Sequence, residues 1–311
     1  MKINTNSNSV FDIRISPDQK MFACSLIDAP LKIYSLESGE LLASHADING
    51  DSSWSLDWLK YEEQEFVISG YGTTGYIRII DCAGNDKLTY AKKSPDFGYP
   101  NAAQLHSNSV WKIRVIGNQS FSVSDDGSFT RLDLEYNPEK GTFNYTRKLE
   151  KRLSIYGNLH DFCHFEDNQF LIAQREDIYS TPKNKFSASS AGLYLGHSNR
   201  VVSICKLNDT QFLSSSWDNT IKLWNIGQRE PVRSIDVDDI GYNLTVLDAF
   251  VLHTSGKSIA VRKVENLELI KNIDVSDAAL KCFDISTDRQ TLIAGDEEGM
   301  AFVVNIADLM D

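Results

Sequence analysis

Four short stretches of this sequence hold residue types that could do chemistry. In LHDFCHF, His160, Cys163 and His164 fall within five residues, and imidazole and thiolate are the ligands zinc takes. On a helix the two histidines would share a face. The hydrophobic alternation here is that of a strand, where residues four apart stand about 13 Å apart along one face. One strand cannot bring both to one metal. His197, Ser214 and Asp218 have the residue types of a hydrolytic triad, but the chain has no GxSxG elbow to present the serine. GYGTTG at 70–75 satisfies GxGxxG literally. A dinucleotide fingerprint needs those glycines between a strand and a helix, so that a pyrophosphate meets the helix N-terminus. YIRIID follows instead and alternates like a strand, so the glycines read as a hairpin. SDDG at 124–127 lacks the spaced carboxylates of an EF-hand loop and reads as a tight turn. The expectation is a protein with no catalytic residue, no metal ligand and no cofactor.

Charge and cysteine content narrow the classes further. A net charge of −12 argues against nucleic acid as a partner, because neutralising phosphates needs a basic face. The one basic cluster, RKLEKR at 147–152, reads as a solvated outer strand. The first residues, MKINTNSNSVFDIRIS, have no apolar run of secretory type, and no stretch approaches the roughly 18 apolar residues of a membrane span. No membrane partner is expected. Cys24, Cys82, Cys163, Cys205 and Cys282 are odd in number and at least 42 positions apart, which suits reduced thiols in the cytoplasm, the nucleus or both. The sequons at Asn118, Asn144, Asn208 and Asn243 are then chance matches.

The elements that would position any site follow one rhythm. Residues 196–225 read GHSNRVVSICKLNDTQFLSSSWDNTIKLWN. VVSICKL, QFLSSS and TIKLWNI are short β-branched runs separated by the turn formers NDT and WDN, and PVRSIDV (231–237) follows, which makes an antiparallel four-strand meander. The same rhythm starts near Val10, Trp54, Val110, Leu159, Val201, Leu244 and Leu280, at intervals of 36 to 56 residues. That is the period of a propeller blade. The predicted fold is all-β, a single seven-bladed β-propeller of four-stranded antiparallel blades. The blades are expected at about 9–45, 51–92, 106–150, 157–195, 197–237, 241–274 and 277–306. Too little chain follows the seventh for an outer strand, so residues 2–6 are expected to supply it and leave no free edge. The longest irregular stretches are 93–108, the 136–145 hairpin and the Ser-rich 182–196, and loops of that length on a rigid scaffold are candidates for binding or regulation.

These repeats resemble the WD40 family. In that family a His, a Ser or Thr, an Asp and a Trp form a hydrogen-bonded tetrad that locks a blade, and the matching positions are His197, Ser214, Asp218 and Trp224. The resemblance makes the first three buried structural partners, not a triad. The third blade matches at His106, Ser122 and Asp126 but has Leu132 in place of the Trp. In the first, Asp28 and Tyr34 fit while Cys24 replaces the Ser. Ile80 and Val304 hold the Trp position elsewhere. The resemblance implies an interaction scaffold, a subunit or adaptor of a multiprotein complex, that binds a protein or peptide segment on the face around the channel entrance. By register, Val202 lies just inside that face and Arg200 on its rim, and the equivalents of Val202 are Phe11, Trp54, Trp111, His160 and Lys281. Trp217, with Asp125 and Glu297 at the matching positions, should lie nearby. Exposed aromatic residues grouped on one face have the composition of an interface hot spot, and the acidic balance favours a basic partner segment. Two other readings compete with this. In one, Trp54 and Trp111 plug the channel or pack between blades. In the other, the protein is a propeller hydrolase or metal-binding propeller using inward His and carboxylate groups, with His160 as the place to look. The paired-Arg motif FRRG of phosphoinositide-binding propellers is absent.

Overall fold

Turn-forming residues every few positions leave no room for long helices, and the chain folds as strands. A computed structural model describes residues 1–45, 51–88, 103–152, 157–165, 169–181 and 192–307, with the backbone alone at 103–104 and 147–152. The fold is an all-β, seven-bladed β-propeller, each blade a four-stranded antiparallel sheet. Strands of the first six blades pair in sequence order, as the short turns dictate. The chain divides into two compact units, Met1–Tyr156 with Phe283–Asp311, and Gly157–Cys282.

The larger unit holds blade 1 (Ser9–Ile15, Met21–Ile27, Leu31–Ser35, Leu41–His45), blade 2 (Ser53–Tyr61, Gln64–Tyr71, Tyr76–Asp81, Ala103–Gln104) and blade 3 (Val110–Ile116, Gln119–Ser124, Ser128–Asn137, Thr142–Arg152). The second strands of these blades are buried along nearly their whole length, so each sheet buries both faces against its neighbours. Ile33, Leu56, Trp58, Val67 and Ile80 pack between blades 1 and 2. Ile68, Ile79, Leu88, Ile113 and Leu132 pack between blades 2 and 3. Residues 136–145 are more regular than expected. The last two strands of blade 3 pair without interruption from Asn137↔Thr142 to Leu132↔Arg147, and a bulge at Arg131/Leu132 precedes the rest. The extension is stabilised by apolar contact: Phe143 meets Phe66 edge-on at 4.9 Å, Tyr136 lies 4.7 Å from Tyr61, and the Tyr136 hydroxyl donates to Gln64. RKLEKR lies on the outermost strand of this sheet. Most of 93–108 and of 182–196 lies outside the described residues.

Blade 7 (Leu280–Ile285, Thr291–Asp296, Met300–Asn305) takes its outer strand from the N-terminus, Lys2–Asn4. Lys2 pairs with Phe302 and Asn4 with Met300. Thr5 follows with its N–H and hydroxyl both donated to the Gly299 carbonyl. Gly299 is required there: its φ is +76°, and a Cβ would meet the Ser7 carbonyl oxygen at 2.0 Å.

The smaller unit holds blade 4 (Leu159–Phe165, Gln169–Gln174, Asp177–Ser180, Gly192–Tyr194), blade 5 (Val201–Lys206, Gln211–Ser216, Thr220–Asn225, Arg233–Asp236) and blade 6 (Leu244–Leu247, Phe250–Ser255, Ser258–Lys263, Leu269–Asp274). Its core is aromatic between blades 4 and 5, where Phe212 stacks on Trp224 and Tyr194 meets both edge-on. Aliphatic packing of Leu213, Ile221, Leu244 and Val251 continues it into blade 6.

Candidate functional site

The chemistry-bearing residues are of two kinds, those consumed by the scaffold and those displayed by it. The blade 5 tetrad is of the first kind. The Trp224 indole N–H donates to Ser214 Oγ at 2.8 Å, Ser214 meets His197 Nε2 at 2.8 Å, and His197 Nδ1 meets Asp218 Oδ2 at 2.8 Å. The other Asp218 oxygen accepts from the Thr220 hydroxyl and amide. Burial lowers the His197 pKa despite the carboxylate beside it, so the ring is neutral and relays one chain of hydrogen bonds. Burial alone would raise Asp218, but bonds from Thr220, Ser198 and His197 outweigh it and hold the carboxyl below its usual range. Ser214 is fully buried between its partners, so its oxygen cannot reach a substrate carbonyl. In blade 3, Ser128 is inserted in the chain: His106 meets Ser122 and Ser128 at 2.7 Å each, and Ser128 donates to Asp126. Leu132, in the Trp position, is buried in the apolar core between blades 2 and 3. In blade 1, Cys24 is opposite Lys32, whose ammonium donates to the Thr5 carbonyl.

The remaining motifs take structural roles. LHDFCHF is a strand. His160 is buried, and burial foremost, with the Arg200 charge, pushes its pKa down to about 3. Among the described residues no three His, Cys, Asp or Glu side chains are grouped as a metal would need. GYGTTG turns between two strands of blade 2, and SDDG turns between two of blade 3.

Of the residues singled out for display, three come together in the larger unit. The Phe11 and Trp54 rings stack with centroids 5.2 Å apart, Trp54 meets Trp111 edge-on at 4.5 Å, and Phe11 lies 6.5 Å from Trp111. Each side chain is half-buried. Such close centroids leave no cage between the rings. The trio is a stacked aromatic platform whose members are each partly exposed. Gly72 sets its position, since a Cβ there would meet the Trp54 indole at 2.3–2.9 Å. Gly72→Ala should therefore tilt Trp54 at a cost of about 1–3 kcal/mol, visible as a shifted indole NMR signal and a lowered melting temperature; an unmoved indole would contradict this packing.

The smaller unit brings together two further pairs. The Arg200 guanidinium lies 4.6 Å from the centre of the Trp217 ring, which is 40% exposed, and the Lys281 ammonium lies 4.5 Å from that of Tyr242. Val202, two residues after Arg200, is half-buried. Tyr242 escaped the sequence reading because blade 6 is too irregular to align.

A second set was also missed. Aspartates on first strands accept backbone N–H groups from the first strand of the next blade: Asp12 from Leu56 (3.3 Å), Asp57 from Val115 (2.8 Å), Asp284 from Ile15 (2.9 Å) and Asp161 from Ile204 (2.8 Å). The signal was present as a carboxylate one or three residues after each platform position, in FDIR, WSLD, HDF and KCFD.

The family model for the WD domain, G-beta repeat, matches residues 189–225, which includes the tetrad of blade 5. Among curated proteins, the E3 ubiquitin-protein ligase COP1 of Arabidopsis thaliana is 22% identical over 247 residues, a match that covers 74% of this chain and 32% of that protein. Solved structures extend the likeness to nearly the whole chain. The WD40 β-propeller domain of Doa1 superposes with a TM-score of 0.75 at 16% identity, covering 97% of this chain and 94% of that one. The RRP9 WD40 repeats give 0.77 at 13%, covering 98% and 96%. U3-55K gives 0.74 at 13%, covering 98% of each.

Proposed function

We propose that this WD40-repeat propeller is a non-catalytic interaction scaffold, a subunit or adaptor of a multiprotein complex, which receives a partner segment where the first strands of its blades begin. The observation that carries this reading is the platform of Phe11, Trp54 and Trp111. Three large rings ordered by mutual stacking offer apolar area at little entropic cost, as interface anchors do. In the smaller unit, taken by itself, the strand-start positions hold Arg200 on Trp217 and Lys281 on Tyr242, with Val202 half-buried and His160 buried. The partner is a protein or peptide. A basic segment fits the charge of −12, and Glu297 is exposed at a turn. The five free cysteines support a place in the cytoplasm or nucleus. Among the described residues no helix is long and apolar enough to cross a membrane.

The test is Trp54→Ala combined with Trp111→Ala, compared with the unaltered protein by affinity purification and mass spectrometry from native cells. The main partner should be lost while far-UV circular dichroism and melting temperature stay nearly unchanged. A destabilised protein that still captures its partner would make these residues core. The partner would then be sought on the long loops or on the outer strands.

A further inference from the structure

A cluster of charged side chains lies on the first strands that carry the aromatic platform and on that of blade 7: Asp12 and Arg14 of blade 1, Asp57 of blade 2, Arg114 of blade 3 and Asp284 of blade 7. Both guanidiniums are committed to carboxylates other than Asp57. Arg14 Nη1 lies 3.0 Å from Asp284, Arg14 Nε 3.5 Å from Asp12, and Arg114 Nη1 3.3 Å from Asp12. Asp57 holds only backbone: one oxygen accepts the Trp58 N–H at 2.9 Å and the other the Val115 N–H at 2.8 Å. Among the described residues no Lys or Arg is in ion-pair contact with it. The strands packed around it add little charge. Ile68 is opposite Asp57 on the neighbouring strand, and Cys24, on the second strand of blade 1, is held as a thiol by burial. Lys112, two residues before Arg114, is the other cation on the first strand of blade 3.

We propose that Asp57 is a proton switch on the strand that carries Trp54. When its carboxylate takes up a proton, the bond from Val115 N–H that ties the first strands of blades 2 and 3 together weakens, and the Trp54–Trp111 contact shifts with that bond. The coupling runs along the two strands, over about 10–13 Å. Trp54 is three residues before Asp57 on one strand, and Trp111 four before Val115 on the other. An ionised carboxylate accepts strongly on both oxygens, whereas protonation removes the charge and leaves the hydroxyl oxygen a poorer acceptor, so the bond it receives from an amide weakens. Burial, opposed by Arg14 and by these two amide bonds, raises the Asp57 carboxyl to about 6. Mildly acidic conditions then change the surface that a partner would meet. The switch is a property of the free protein and does not depend on the function proposed above.

The experiment is a pH titration of the full chain by NMR, with 13C-labelled aspartate carboxyls and 15N-labelled indoles, Trp54→Phe and Trp111→Phe assigning the indole signals. The Asp57 carboxyl should titrate near 6, and the Trp54 and Trp111 indoles should move with the same midpoint. Asp57→Asn should abolish both. Asp284→Asn leaves Arg14 one carboxylate fewer to serve and should lower the midpoint by about one unit, a tenfold change in proton affinity, which keeps the test decisive if Asp57→Asn does not fold. An Asp57 carboxyl that is fully ionised down to pH 4.5, or indole signals that do not follow it, would overturn the proposal.

Discussion

Asp218→Ala should lower the unfolding free energy by about 2–4 kcal/mol, the cost of leaving several buried polar partners without their acceptor. The carboxylate receives His197 and the Ser198 N–H on one oxygen, and the Thr220 amide and hydroxyl on the other. Removing it leaves His197 Nδ1, on a side chain with no exposed surface, with only the Thr220 hydroxyl at 3.2 Å. Glu297→Ala is the control: its residue stands in blade 7, where the tetrad motif is missing, and is exposed, so its loss should cost less than about 1 kcal/mol. Equal denaturant midpoints for the two variants would remove the tetrad as a stabilising unit. The effect should also depend on pH. The folded carboxyl titrates below its ordinary 3.8, so its contribution is complete above that value and disappears as the pH falls through the folded one. Unaltered protein and variant should therefore converge in stability in strong acid.

The contrast between blade 5 and the others shows what the sequence could disclose. Blade number, strand order and the N-terminal strand followed from turn residues and alternation, because a four-strand meander has to place a turn former every few positions. His197, Ser214, Asp218 and Trp224 were legible as a set because a hydrogen-bonded chain tolerates few other residue types. Blade 3 was only half legible. Its Asp126 acts through Ser128, and nothing about a serine after SDDG distinguishes a relay from an ordinary strand residue. The Phe11–Trp54–Trp111 contact could be placed by register but not shaped by it, since register gives no ring distances and cannot tell a cage from a stacked platform. The aspartate stitches were in plain view as carboxylates in the first strands FDIR, WSLD, HDF and KCFD. They went unread because each accepts a backbone N–H from the next blade, a partner with no sequence signature.

Deleting residues 1–8 should cost more than any point change in the larger unit. The strand Lys2–Asn4 covers the edge of Met300–Asn305, and its ladder is extended by the Met1–Val303 pair and the two Thr5–Gly299 bonds. At about 1 kcal/mol net for each hydrogen bond, several kcal/mol go with the segment, enough to lower the melting temperature by more than about 10 °C. The bare edge also becomes a template for another chain, so concentration-dependent aggregation should accompany the loss. One side chain lets the two effects be told apart. Lys32 is buried and its ammonium donates to the Thr5 carbonyl, so truncation leaves a charge without that acceptor, which costs more than a lost neutral bond. Lys32→Met in the truncated chain removes the stranded charge and should recover part of the melting temperature. It cannot re-cover the strand edge, so aggregation should persist. A truncated protein that melts like the full-length one would mean that the N-terminal strand adds nothing to the last blade. Full recovery of both properties by Lys32→Met would assign the whole effect to the buried charge and none to the exposed edge.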